Sequence, residues 1–244
     1  MLDIDRLVAE TLDRLRAKAR LDWGAGAASL SGRPTSMQVC GVAAPDVHLI
    51  SRELARSLRD ETPRAVVDLA LALSASGVYD ARFVADELLA RHRAAFATLR
   101  TTDIERLGRG MDNWASVDSF GRAVSGPAWR AGQLTDARIA RWARSKDLWW
   151  RRTALVSTTA LNEAKTGDGD AARTLAICVL LVDDREDMVV KALSWAVRSL
   201  VDRDAAAVSA YLDRHGAVSR TARAARDTAH ARDRAQELAP RDGS

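Results

Sequence analysis

Apolar residues recur with a helical period along nearly the whole chain, and no stretch alternates β-branched residues as a half-buried strand requires. That pattern restricts the chain to an all-α fold. Helices are predicted over 3–20, 45–59, 62–76, 79–98, 101–108, 111–125, 134–145, 147–164, 168–182, 185–201, 203–214 and 217–236. Between them stand the breakers "GAGAASLSGRPTS" after the first helix, "TP" at 62–63, "SGPAW" at 125–129, "TGDGD" at 166–170 and "HG" at 215–216. In "DETPRAVV" the proline falls in a first helical turn, where its missing N–H would have no partner in any case. Short helices joined by short connectors form antiparallel pairs. The similar lengths of the segments from 134 to 214 suit the helix–turn–helix unit of an α-solenoid. No strict repeat is visible, so periodicity alone leaves a solenoid and an irregular bundle both open. The loop at 24–36 and the tail "ELAPRDGS" are expected to be mobile.

With 244 residues, 47% hydrophobic and 29% charged, the chain has the balance of a soluble folded protein. One domain over 1–236 with a flexible tail at 237–244 is expected, as is a cytoplasmic location. The longest apolar run, "LAICVLLV", falls well short of the roughly 18 residues of a membrane span, and the acidic, amphipathic "MLDIDRLVAE" is no secretory signal. Cys40 and Cys178 lack ligand spacing, and His48, His92, His215 and His230 do not cluster. Neither a metal, nor a cofactor, nor histidine-centred catalysis is therefore expected. The net charge is +4, and Lys18, Lys146, Lys165 and Lys191 are the only lysines among 37 cationic residues. Arginine's planar fork grips phosphate through two N–H groups, so the bias suits a nucleic-acid surface. G+C-rich coding produces the same bias, and composition does not separate the two.

Three stretches place polar or aromatic residues where a plain core would not. In "REDMVVKALSWAVRSLV" at 185–201, Val189, Leu193, Ala196 and Leu200 form the stripe that must be buried. Lys191, Trp195 and Arg198 then share the opposite face, either as a functional aromatic between cations or as an indole packed on a neighbour under Arg198. In "SKDLWWRRTALVSTTALN" at 145–162, Arg151 and Arg152 bound a broad apolar sector containing Trp149 and Trp150. Cations in a helix's first turns oppose its dipole, which calls for a phosphate or for an acid within the protein. In "MDNWASVDSF" at 111–120, Trp114 and Asp118 lie one turn apart on one face. That pair alone also fits a carboxylate bonded to a neighbouring helix.

Taken together, "WASVD" at 114–118, "WARSKDLWWRRTALV" at 142–156 and "VVKALSWAVRSL" at 189–200 resemble, in order and approximate separation, the AlkD-like DNA alkylation repair glycosylases, a family of HEAT-like repeat proteins. The similarity runs from "GVAAPDVHLISREL" at 41–54 to near residue 215. The resemblance implies stacked antiparallel helix pairs curved into a C-shape, with a basic concave face that holds duplex DNA. It also implies a catalytic cleft formed by Trp114, Asp118 and Trp195. Arg152 matches a phosphate-contacting arginine, and Arg198, with Arg151 and Lys191 nearby, is expected to face the DNA backbone. The implied activity is that of a glycosylase of base excision repair, removing cationic N7-alkylguanine and N3-alkyladenine from duplex DNA. Because no lysine stands beside Asp118 in sequence and Lys191 is a turn before Trp195, a monofunctional enzyme using water is expected. The protein would act as a monomer at the bacterial nucleoid, without cofactor or membrane. Two departures stand out: His48 occupies a position where relatives usually carry arginine, and the ending "RTARAARDTAHARDRAQELAPRDGS" from residue 220 diverges from theirs. The rival readings are a non-catalytic helical-repeat scaffold for DNA or protein and a specialised glycosylase for bulky natural-product adducts.

Overall fold

The computed structural model describes residues 2–20, 35–165 and 169–215. The helix expected at 217–236, the tail at 237–244 and most of the loop at 24–36 lie outside the described residues. Among the described residues the chain is all-α, and its only extended pairing is an isolated bridge between Gln38 and Val78. No described helix is long and apolar enough to cross a membrane.

The described residues fall into two compact units, divided after Thr135. The first contains α1 (Ile4–Ala17), α2 (Ala44–Ser57), α3 (Pro63–Ala75), α4 (Tyr79–Arg91), α5 (Arg93–Ala97), α6 (Thr101–Leu107), α7 (Trp114–Phe120) and α8 (Gly126–Arg130). Its central element is α4, which packs against α2, α3, α7 and the turn that follows α7. Leu15, Val66, Leu69, Leu73, Val84, Leu88, Ile104, Phe120 and Trp129 fill the core. Each such side chain is worth about 1.5–3 kcal/mol on full burial.

Helix starts follow local chemistry. The Asp3 carboxylate accepts the Arg6 N–H at 3.0 Å to start α1, and the Thr62 hydroxyl accepts the Ala65 N–H to start α3, with Pro63 in the first turn as expected. Two expectations needed correction. The helix read as 79–98 breaks at His92, whose ring Nδ1 accepts the Ala95 N–H and so caps α5. Its other nitrogen is left to donate to the Leu58 carbonyl at 3.2 Å. "SGPAW" does not break the chain. Residues 121–125 form one π-helical turn, and Pro127 then sits in the first turn of α8. The missing N–H of the proline falls at the junction where the wider bonding pattern of the π turn, with Gly126 N–H donating to the Gly121 carbonyl, gives way to the α pattern.

The second unit contains α9 (Asp136–Ala143), α10 (Leu148–Thr159), α11 (Ala171–Leu180), α12 (Asp187–Val201) and α13 (Ala205–His215). Here α10 and α12 form the principal packed pair, with α9 and α11 against α10. The stripe read from α12 is buried, with Val189, Ala196 and Leu200 fully enclosed and Leu193 nearly so. Asp147 caps α10 by accepting the Trp149 N–H at 2.8 Å, and Asp170 caps α11 by accepting the Arg173 N–H at 2.9 Å. Both cysteines are buried free thiols, and burial pushes the Cys178 thiol up to about 12.

Candidate active site

Seven residues make α7, and its burial pattern is set by what α4 covers. Ala115, Ser116, Val117 and Phe120 are buried, whereas Trp114 is 37% exposed and Asp118 is half-buried. Residues four apart differ by about 40° around a helix, so the indole and the carboxylate share the one face that the core leaves open. Tryptophan is highly buried on average. Trp114 is instead among the few large apolar side chains exposed on the described surface.

Both ends of α7 are fixed by polar side chains. At its start, Asn113 accepts the Ser116 N–H at 2.9 Å, while its amide group donates to Asp112 at 3.2 Å and to Thr35 Oγ1 at 3.4 Å. Asp112 also accepts from Thr35 Oγ1 at 2.6 Å, from Ser36 Oγ at 2.7 Å and from the Ser36 N–H. Partial burial pushes the Asp112 carboxyl up, but these donors together hold it below the usual carboxylate range. At the other end, Ser119 Oγ donates to Asp86 Oδ2 of α4 at 2.7 Å. Asp86 is fully enclosed, and burial raises its carboxyl to about 7 against the opposing effects of Ser119 and Arg82. Arg82, one turn before Asp86, donates to the carbonyl of Leu107 at 2.9 Å and to that of Arg109. Tyr79, half-buried at the start of α4, packs its ring on Phe83 at 4.9 Å. Burial raises its phenol, with the charges of Asp80 and Asp118 adding to the effect, so the hydroxyl keeps its proton.

Sequence reasoning did not single out Tyr79, Arg82 or Asp86. For the last two a signal exists: at 100° per residue Arg82, Ala85, Asp86 and Leu89 share one stripe, so two charges interrupt an otherwise apolar face.

In the second unit, Lys191 and Arg198 are exposed on α12 with Trp195 half-buried between them, the face predicted for all three. Lys191 pairs with Asp187 one turn earlier at 2.7 Å, and Arg198 donates to Ser194 Oγ. The two arginines of α10 lie deeper. Arg151 Nε donates to Asp184 Oδ2 at 2.7 Å and its Nη1 to the carbonyls of Ser145 and Lys146, both at 3.0 Å. Arg152 is 5% exposed and donates through Nη1 to the Met188 carbonyl. The rings of Trp142 and Trp150 pack at 4.8 Å, tilted by 45°, and Trp149 is buried. Trp114 and Asp118 therefore belong to the first unit, and Trp195 with the four candidate cations to the second.

Fold and site together define an all-α protein that carries an indole–carboxylate pair on one open helix face and a cation-flanked indole on another. The sequence matches the family described as DNA alkylation repair enzyme over residues 15–230. The chain belongs to that family. A solved structure of a predicted DNA alkylation repair enzyme from Enterococcus faecalis is similar in fold, with a TM-score of 0.67 and 15% identity, over 85% of this chain and 94% of that one. No curated protein matches the sequence.

Proposed function

We propose that this protein is a DNA glycosylase that hydrolyses the N-glycosidic bond of cationic alkylated purines, with Asp118 stabilising the charge that develops on the sugar. The observation that carries this reading is the open face of α7, where an exposed indole and a half-buried carboxylate stand together on a helix otherwise packed into the core. Membership of a DNA alkylation repair family supports damaged DNA as the substrate.

A purine alkylated at N7 or N3 is already positively charged, so it leaves without protonation and one carboxylate suffices. Hydrolases acting on neutral leaving groups need a second, acidic carboxyl across the bond. As the base departs, positive charge collects on the deoxyribose. An anion fixed near C1′ in a partly desolvated site favours that transition state over the ground state. Asp118 is the group assigned to this role, and the same carboxylate orients the attacking water. Trp114 offers an aromatic face to the cationic centre and keeps bulk water away from it, and Trp195 offers a second indole to the DNA. Lys191 and Arg198, exposed on α12, are assigned to backbone phosphates. Arg151 and Arg152 spend part of their forks on protein oxygens and hold the helix beneath that surface.

The deciding experiment measures release of 7-methylguanine and 3-methyladenine from methylated duplex DNA. The wild-type protein releases both, and Asp118→Asn keeps duplex binding while losing roughly 10²–10³ in rate, the usual effect of removing one preorganised electrostatic group. Release at the wild-type rate by Asp118→Asn removes the carboxylate from the mechanism. A covalent adduct trapped by borohydride replaces water with an amine nucleophile.

A further inference from the structure

We infer that Asp86, acting through Ser119, is a positioning residue that sets the rotation of α7 and so the aim of the Asp118 carboxylate. The inference rests on the assignment of Asp118 above and adds the group that holds it in place.

Three observations carry it. First, Asp86 is 4% exposed and its Oδ2 accepts the Ser119 hydroxyl at 2.7 Å, a bond between α4 and the residue directly following Asp118. Successive residues on a helix point about 100° apart. Tethering Ser119 to α4 therefore fixes the angular setting of Asp118, on the face shared with Trp114 and within electrostatic reach of Tyr79 at the start of α4. Second, the tether sits one residue before the end of α7, where the backbone changes to the π-helical turn at 121–125. A widened turn of this kind loosens the angular register that a continuous α-helical ladder would impose, and such turns recur at functional sites. The Ser119–Asp86 bond restores that register from outside the helix. Third, a buried carboxylate is a poor choice for packing alone, because apolar side chains of similar volume fill such a space at no desolvation cost. Arg82, on the same stripe of α4, is committed to the carbonyls of Leu107 and Arg109 in the segment leading into α7. Two polar side chains of α4 thus hold the segment before α7 and the end of α7.

The test compares Ser119→Ala, Ser119→Thr, Asp86→Asn, Asp86→Leu and the double variant Ser119→Ala/Asp86→Leu with the wild type and with Asp118→Asn. Single-turnover excision of 7-methylguanine, duplex affinity and thermal midpoint are measured for each. A 1 Å misplacement of a reacting group costs up to about a hundredfold. Ser119→Ala and Asp86→Leu are expected to lose roughly ten- to a hundredfold in excision rate with duplex affinity within twofold. Ser119→Thr keeps the donor, Asp86→Asn keeps an acceptor, and both stay close to the wild-type rate. The double variant is no slower than the worse single one, because both remove the same bond. Wild-type excision by Ser119→Ala, or losses in rate that follow losses in affinity and thermal midpoint, overturns the inference in favour of plain packing. If Asp118→Asn is inactive while Ser119→Ala is not, only the positioning role falls. If Asp118→Asn excises normally, or the wild-type protein excises nothing, the assignment of Asp118 falls and takes the positioning role with it.

Discussion

The guanidinium of Arg152 donates to the backbone carbonyl of Met188, tying the middle of α10 to the first turn of α12 from inside the second unit. Losing a hydrogen bond from a charged donor, together with the packing of a nearly buried side chain, costs about 1–3 kcal/mol. Arg152→Ala is accordingly expected to lower the urea midpoint by an amount corresponding to that loss. Arg198, exposed one helix away, behaves differently. Arg198→Ala leaves the midpoint within about 0.5 kcal/mol of wild type and reduces the slope of log affinity against log salt for duplex DNA by about one. An unchanged slope for Arg198→Ala takes that residue off the phosphate backbone.

Trp114 and Trp129 make a matched pair for separating function from stability in the first unit. Trp129 is 1% exposed and Trp114 is 37% exposed. Truncating a buried tryptophan to alanine costs about 3–5 kcal/mol through lost burial and the cavity left behind. Trp129→Ala is therefore expected to unfold at markedly lower denaturant. Trp114→Ala should stay within about 1 kcal/mol of wild type and still lose excision. Equal destabilisation by both variants, read from denaturant titrations, makes Trp114 a structural residue.

Much of this architecture was legible from the chain because a helix records its covered side in its own period. Val189, Leu193, Ala196 and Leu200 had to face inward, and Lys191 and Arg198 consequently had to face out. Trp114 and Asp118 were readable as a pair by spacing, whereas the exposure of the indole came only from seeing what α4 covers. What the period does not record is how far a neighbouring element reaches. Arg152 borders an apolar sector in the sequence and is enclosed in the structure, because α12 packs over α10 and presents a carbonyl to it. The stripe that Asp86 shares with Arg82 marks it in the sequence, but its partner Ser119, 33 residues away, is not recorded there. The break at His92 depends on Leu58, another long-range partner. "SGPAW" continues a helical run because proline acts as a breaker or as a first-turn residue according to the backbone before it, here a π-helical turn that the sequence does not announce.

The raised carboxyl of Asp86 makes a stability prediction with a definite sign. The ordinary value is 3.8 and the folded value is about 7. Between those two the folded protein holds a proton that the unfolded chain has released, so stability falls as pH rises through the window and levels off above it. Asp86→Asn removes this titration. The variant should match wild type near pH 4 and exceed it at pH 8 by an amount on the order of a few kcal/mol. Urea midpoints of the two proteins at pH 4, 6 and 8 provide the comparison. A constant difference across the three shows that Asp86 does not change its protonation on unfolding.

Asp112 titrates in the opposite sense, and its partners connect stability to the site. Its carboxylate gathers Thr35, Ser36 and Asn113, and Asn113 in turn caps α7 directly before Trp114. Because these donors hold the folded value below the ordinary 3.8, the stabilisation is complete above that value and is lost as pH falls through the lower folded one. Asp112→Ala removes the shared acceptor at every pH. It is expected to cost about 1–2 kcal/mol, as loss of charge-assisted hydrogen bonds at a half-buried site does. The effect should be local, with amide exchange of Ser36 and Ser116 speeding up while that of Leu88, in the core of α4, is unchanged. Excision should slow with them, since an α7 freed at its start no longer presents Trp114 and Asp118 on a fixed face. Uniform acceleration of exchange at all three amides points to global destabilisation and separates the Asp112 cluster from the site.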